Sequence, residues 1–133
     1  MSARVYRVLI VDDEPPIVRF VDRTLRAAGY DTVTASDGES ALAVAATHGP
    51  FDLLLTDVMM PGMTGEQLAA ALRRQDPDLP VLYLTGYSDR LFKARERLWA
   101  NEMFLDKPAS MQALREAVSL ALFGHLNGPP PRD

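Results

Sequence analysis

The sequence predicts an α/β fold, a doubly wound parallel sheet with helices on both faces, and three observations predict it. Five short apolar runs alternate with stretches of helical spacing, the pattern of consecutive βα units. The runs carry Val, Leu and Ile on both parities, as strands covered on both faces do. Four of them stop on polar residues: Val5 to Val11 on Asp12 and Asp13, the run from Phe51 on Asp57, Val81 to Leu84 on Thr85, and Met103 to Leu105 before Asp106 and Lys107. In a parallel sheet those endings gather on one rim.

Taken in order, Val5 to Val11 reads as a central strand. Pro15 and Pro16 suit a first helical turn, where a missing N–H does no harm. Ile17, Val18, Val21, Leu25 and Ala28 then follow at helical spacing, and Gly29 ends the helix. Asp31 to Ala35 has more Thr and less bulk, which predicts an edge strand. Ser36 and Glu39 have capping-box spacing, opening a helix through Ala41, Leu42 and Ala45 that Gly49 and Pro50 terminate. The run from Phe51 to Asp57, between Pro50 and Pro61-Gly62, is a buried strand feeding a loop. Thr64 and Gln67 repeat the capping signature ahead of Leu68, Ala71 and Leu72, and Pro77 and Pro80 stop that segment. Pro80 to Leu84 is the fourth strand. A fourth helix is expected from Ser88, with Leu91, Ala94 and Leu98 on one stripe and Asn101 as a cap. Glu102 to Leu105 is the fifth strand, and Ser110 to Phe123 the last helix, with Met111, Leu114 and Val118 inward and Gly124 at its end. The best topological match is the flavodoxin-like order 2-1-3-4-5, with the first and third strands flanking the switch point where ligands bind.

Composition narrows the function. The 133 residues are one domain's worth, and 47% apolar with 24% charged residues is ordinary for a globular chain. A net charge of −4 argues against nonspecific nucleic acid binding and leaves protein partners open. The absence of cysteine excludes disulfides, thiolate metal sites and thiol nucleophiles. The N-terminus suits neither a signal peptide nor a membrane span, so a cytoplasmic location is the expectation. Residues 1–124 are expected to form the domain, and 125–133, with the run NGPPPRD, a solvated tail or linker stub.

The rim residues define a chemistry. Asp12, Asp13 and Asp57 crowded together repel unless a cation shares the site. Oxygen ligands without Cys or a nearby His favour a hard ion, and an open site that keeps its waters favours Mg²⁺. Lys107 adds a point charge suited to a phosphoryl oxygen, and Thr85 a hydroxyl donor. One metal, one lysine, one hydroxyl and one free carboxylate make a phosphoryl transfer site in which Asp57 can be the covalent acceptor. The plainer alternatives are that Asp12 and Asp13 cap the first helix, Lys107 is a surface lysine and Thr85 a turn residue. His48 and His125 show no ligand spacing and are expected to face solvent.

These pieces, VLIVDDEP (8–15), LLLTDVMMPGMTG (53–65), VLYLTG (81–86) and FLDKP (104–108), resemble the receiver domain of bacterial two-component response regulators. The resemblance implies that Asp57 accepts a phosphoryl group from the phosphohistidine of a histidine kinase or histidine phosphotransfer protein. It implies that Asp13, Asp57 and the backbone carbonyl of Met59 bind Mg²⁺, with Asp12 helping through water. Thr85 and Lys107 would contact the phosphoryl oxygens. Thr85 and Phe104 would form a switch pair, read out on the face of the fourth helix, fifth strand and fifth helix.

The chain departs from that pattern where the family usually has Ala after the switch Thr, here Gly86, and often Tyr at the aromatic position, here Phe104. Ala100 and Asn101 replace the usual Gly-Ala. Met59 and Tyr87, two residues after Asp57 and Thr85, are positioned to overhang a phosphoryl group and lengthen its lifetime. Phe92 and Trp99 are candidates for the readout surface, which would engage a downstream protein or a second copy of the chain in a phosphorylation-dependent homodimer. Two other readings stay open: a receiver module severed from a larger regulator or hybrid kinase, and an Asp-nucleophile phosphatase of the haloacid dehalogenase type. The latter usually has a second Asp where Met59 stands.

Overall fold

Strands with apolar side chains on both parities need cover on both faces, and helices supply it here. The computed structural model describes residues 4–86 and 102–124. Five parallel strands, β1 (Arg7–Val11), β2 (Asp31–Ala35), β3 (Leu53–Asp57), β4 (Val81–Thr85) and β5 (Glu102–Asp106), form one sheet in the order β2-β1-β3-β4-β5. This is the expected flavodoxin-like order, with β2 on an edge. Among the described residues the helices are α1 (Pro15–Ala27), α2 (Gly38–His48), α3 (Gly65–Leu72) and a C-terminal helix, Met111–Phe123. The helix expected from Ser88, and with it Tyr87, Leu91, Phe92, Ala94, Leu98, Trp99 and Asn101, lies outside the described residues, as does His125.

Strand alternation splits the core into two layers. Leu9, Val11, Leu54, Val81 and Tyr83 point to one face and pack with Ala41 of α2 and with Leu68 and Ala69 of α3. Val8, Ile10, Leu53, Leu55, Leu82 and Leu84 point to the other, against Val21 and Leu25 of α1 and Leu114 and Val118 of the C-terminal helix. Every residue of β3 and β4 is buried. Each fully buried Leu contributes about 1.5–3 kcal/mol, so these two strands anchor the rim that follows them.

The caps set where each helix begins. Pro15 and Pro16 occupy the first turn of α1, and Gly29 beyond it adopts φ 98°, a left-handed conformation that suits glycine. Thr64 and Gln67 make the expected capping box, and Ser110 caps the C-terminal helix by accepting from Ala113 N at 3.0 Å. The box expected from Ser36 and Glu39 is not the one formed. Asp37 is the N-cap of α2 and accepts from Ser40 N at 2.7 Å, because an Asp one residue closer to the helix is an equally good acceptor. That hydrogen bond also lowers the carboxyl of Asp37 below its ordinary range.

A second difference concerns Met111, expected inward and found 49% exposed. Helical side chains lean toward the N-terminus, so the first residue of a helix reaches past its start, and Leu114, Ala117 and Val118 fill the inward face. A polar network braces the far side of the sheet. Arg73 donates to Glu102 Oε2 at 2.8 Å and to Leu79 O, and Tyr83 OH donates to the same Glu102 oxygen at 3.1 Å. Tyr83 also stacks on Phe104, with centroids 5.4 Å apart.

Candidate functional site

Parallel strands deliver their carboxyl ends to one rim, and the positions of Asp12, Asp13, Asp57, Thr85 and Lys107 follow from that. Asp12 and Asp13 leave β1, Asp57 is the last residue of β3, Thr85 the last of β4, and Lys107 follows β5 directly. Lys107 Nζ lies 2.9 Å from Asp12 Oδ2, 3.4 Å from Asp57 Oδ1 and 3.3 Å from Glu14 Oε2. Asp12 is 1% exposed and Asp57 5% exposed, so two carboxylates and one ammonium share a largely dry cleft.

Oxygens from Asp12, Asp13, Glu14 and Asp57 all lie within 4.8 Å of one another. Asp12 Oδ1 accepts from Glu14 N at 2.9 Å. Asp12 Oδ2 is buried and, among the described residues, accepts no hydrogen bond of good geometry, with the Lys107 ammonium 2.9 Å away. An all-oxygen set with a buried, under-satisfied carboxylate oxygen fits a hard divalent cation such as Mg²⁺. The electrostatics point the same way. Burial first, and then repulsion by Asp12, push the Asp57 carboxyl up to about 7 despite the opposing Lys107. Burial likewise raises Asp12. Burial alone would lower Lys107, but its carboxylate neighbours, Asp12 foremost, hold it above its ordinary value. A negative excess remains that one lysine does not neutralise.

The rest of the rim is set by close backbone approach. Val58 N donates to Leu84 O at 3.3 Å and Gly65 N to Val58 O at 2.8 Å, folding the loop after Asp57 back onto α3. A Cβ on Gly65 would stand 2.2 Å from Asp57 O, so only glycine fits there. Met59 is 57% exposed on this loop, and Phe104 is half-buried against Tyr83. Thr85 is fully buried; its Oγ1 donates to Asp106 Oδ1 at 3.0 Å, and its carbonyl accepts from Lys107 N at 2.8 Å. His48 is exposed at the end of α2, away from the rim.

Sequence reasoning places Asp106 on the rim but misses its contact with Thr85, and it misses Glu14 as a member of this constellation. Glu14 is the third acid of the DDE run, and its place next to Asp13 was the available signal. Asp106 is the register partner of Thr85 across β4 and β5, a relation that only the strand pairing reveals.

A doubly wound parallel sheet with acidic residues and a lysine gathered at its switch point defines a class of α/β proteins. Within that class the chain belongs to the response regulator receiver domain family, whose sequence model matches residues 8–119. It is 36% identical over 116 residues to the alkaline phosphatase synthesis transcriptional regulatory protein PhoP of Bacillus subtilis, covering 87% of this chain and 48% of that protein. Among solved structures it is similar to the Vibrio cholerae chemotaxis protein CheY4, with TM-score 0.80, 35% identity and coverage of 90% and 100% of the two chains. It is also similar to the Thermotoga maritima response regulator TrrA in complex with Mg²⁺-BeF, with TM-score 0.77, 33% identity and coverage of 89% and 100%. The chain spans about half the length of PhoP. Among the described residues no helix is long and apolar enough to cross a membrane.

Proposed function

We propose that the chain is a phosphorylation-activated switch in which Asp57 accepts a phosphoryl group from the phosphohistidine of a histidine kinase or phosphotransfer protein. The observation that carries the reading is the meeting of Asp57, Asp12 and Lys107 Nζ within 3.4 Å contacts in one buried cleft. An Asp57 oxygen attacks phosphorus, the P–N bond breaks with its electron pair going to the imidazole, and an acyl phosphate remains. Asp57 must be anionic to attack, and its raised proton affinity opposes this near neutrality. Asp13, Asp57 and the Met59 carbonyl, with Asp12 helping through water, would hold Mg²⁺, which would supply charge neutralisation for the phosphoryl oxygens. Lys107 pairs with a phosphoryl oxygen as a point charge, and the Thr85 hydroxyl donates to another.

The new group brings roughly −1.5 to −2 charges, so Thr85 moves toward it and Phe104 follows into the space released. The surface next to Phe104, formed by β5 and the C-terminal helix, then presents a changed face, and Phe92 and Trp99 are candidates for its readout. A downstream protein or a second copy of the chain reads it. Met59 and Tyr87 shield the acyl phosphate from water and lengthen its life. The chain thus catalyses only its own phosphorylation and dephosphorylation. Residues 1–124 act as the receiver domain, and its signal passes by protein contact. A second reading, one module of a larger regulator or hybrid kinase, is favoured by the length of PhoP and shares the same site.

Incubation with a small phosphodonor and Mg²⁺ tests the proposal by intact mass. The wild type is expected to gain one phosphoryl increment and Asp57→Asn none. Equal labelling of both, or of neither, contradicts it.

A further inference from the structure

We infer that Asp106 is a positioning residue that acts through Thr85, holding its hydroxyl in the resting state so that phosphoryl uptake at Asp57 must break the Thr85–Asp106 hydrogen bond. The inference rests on the phosphoacceptor reading above.

Thr85 ends β4 with its side chain fully buried, and Asp106 ends β5 as its register partner. A buried hydroxyl needs a hydrogen-bond partner, and Asp106 Oδ1 accepts from Thr85 Oγ1 at 3.0 Å. The strand ends are fixed beside this contact, because Lys107 N donates to Thr85 O at 2.8 Å. Thr85 can answer a new ligand by turning its side chain between staggered rotamers.

A threonine hydroxyl carries one proton. An ionised carboxylate and a phosphoryl oxygen are both acceptors only, so donation to one excludes donation to the other. Asp106 and a phosphoryl group on Asp57 thus compete for the same proton. Removing the acceptor at position 106 costs the resting state its hydrogen bond and leaves the bond of the charged state intact, which shifts the population toward the charged state. The residue that restrains the hydroxyl and the lysine that pairs with the phosphoryl group are consecutive, Asp106 and Lys107, so one short segment sets both the attraction for the anion and the resistance to it.

The test is a double-mutant cycle read by beryllofluoride binding in saturating Mg²⁺, using isothermal titration on the full chain. Asp106→Val, which keeps a good strand former at the end of β5, and Asp106→Ala are both expected to bind about fivefold more tightly than wild type, the equivalent of roughly 1 kcal/mol for the lost resting hydrogen bond. Asp106→Asn retains an acceptor oxygen and is expected to gain less. In a Thr85→Ala background the gain from Asp106→Val should fall below about twofold, since the contested proton is gone. Unchanged or weaker binding by both acceptor-less variants overturns the inference, and so does an equal gain with and without Thr85. A wild type that takes up no beryllofluoride removes the phosphoacceptor reading itself, and the inference with it. Should one acceptor-less variant fail to fold, the other decides.

Discussion

Asp57→Asn, studied without divalent cations, isolates the electrostatic strain of the resting site. The Asp57 carboxyl is pushed from 3.8 to about 7, first by burial and then by Asp12, with Lys107 opposing. A carboxyl whose folded value lies above its unfolded value holds its proton more tightly in the native state. The contribution of Asp57 to wild-type stability should therefore fall as pH rises from about 4 to about 7 and stay low above that. Each tenfold gain in proton affinity corresponds to roughly 1.4 kcal/mol, so the full cost of ionising Asp57 in the folded chain is about 4 kcal/mol. Asn is a close isostere of the protonated acid, so Asp57→Asn should change stability little near pH 4 and raise it by up to about 4 kcal/mol above about pH 8. Urea unfolding in a chelator reads this directly, because about 4 kcal/mol moves a midpoint by roughly 2 M at a typical slope. A difference that does not depend on pH, or a loss of stability at high pH, would refute the reasoning.

Mg²⁺ should reverse part of that strain: at about 100 times its dissociation constant it is expected to add roughly 2.7 kcal/mol to the wild type, and Asp13→Ala should abolish the increment in thermal unfolding. Gly65→Ala would drive a Cβ to 2.2 Å from Asp57 O, so a loss of about 1–3 kcal/mol in urea is expected together with slower labelling by a small phosphodonor. Glu102→Ala removes an acceptor of both Arg73 and Tyr83 at a buried position, and about 3 kcal/mol of destabilisation is expected from denaturant unfolding. Glu102→Gln keeps an acceptor and should cost less.

The sheet was legible because the code for it is local. Val8 to Val11 and Leu53 to Leu55 are apolar on both parities, as doubly covered parallel strands are, and alternation with helices made the flavodoxin-like order β2-β1-β3-β4-β5 the best match, which the sheet has. Strand endings then put Asp12, Asp57, Thr85 and Lys107 on one rim without any need for side-chain detail. What sequence did not disclose depends on pairing across the chain. The Thr85–Asp106 contact requires the register of β4 on β5, and the Arg73–Glu102–Tyr83 network joins α3 to both strands over a long sequence separation. The reach of Lys107 back to Glu14 is of the same kind. The misplaced cap at α2 is different, since Ser36 and Asp37 are both good caps and only the helix start at Gly38 chooses between them. Periodicity alone places Met111 inward, because it does not register that the first helical residue leans past the end of the helix.

The central claim concerns which atom carries the phosphoryl group, and borohydride reduction of the phosphorylated chain followed by peptide sequencing reads that atom. An acyl phosphate on Asp57 should be reduced to homoserine at position 57 and nowhere else, in the presence of Mg²⁺ and not in its absence. Homoserine at position 12 or 13, or an intact aspartate at position 57 in labelled protein, would contradict the account.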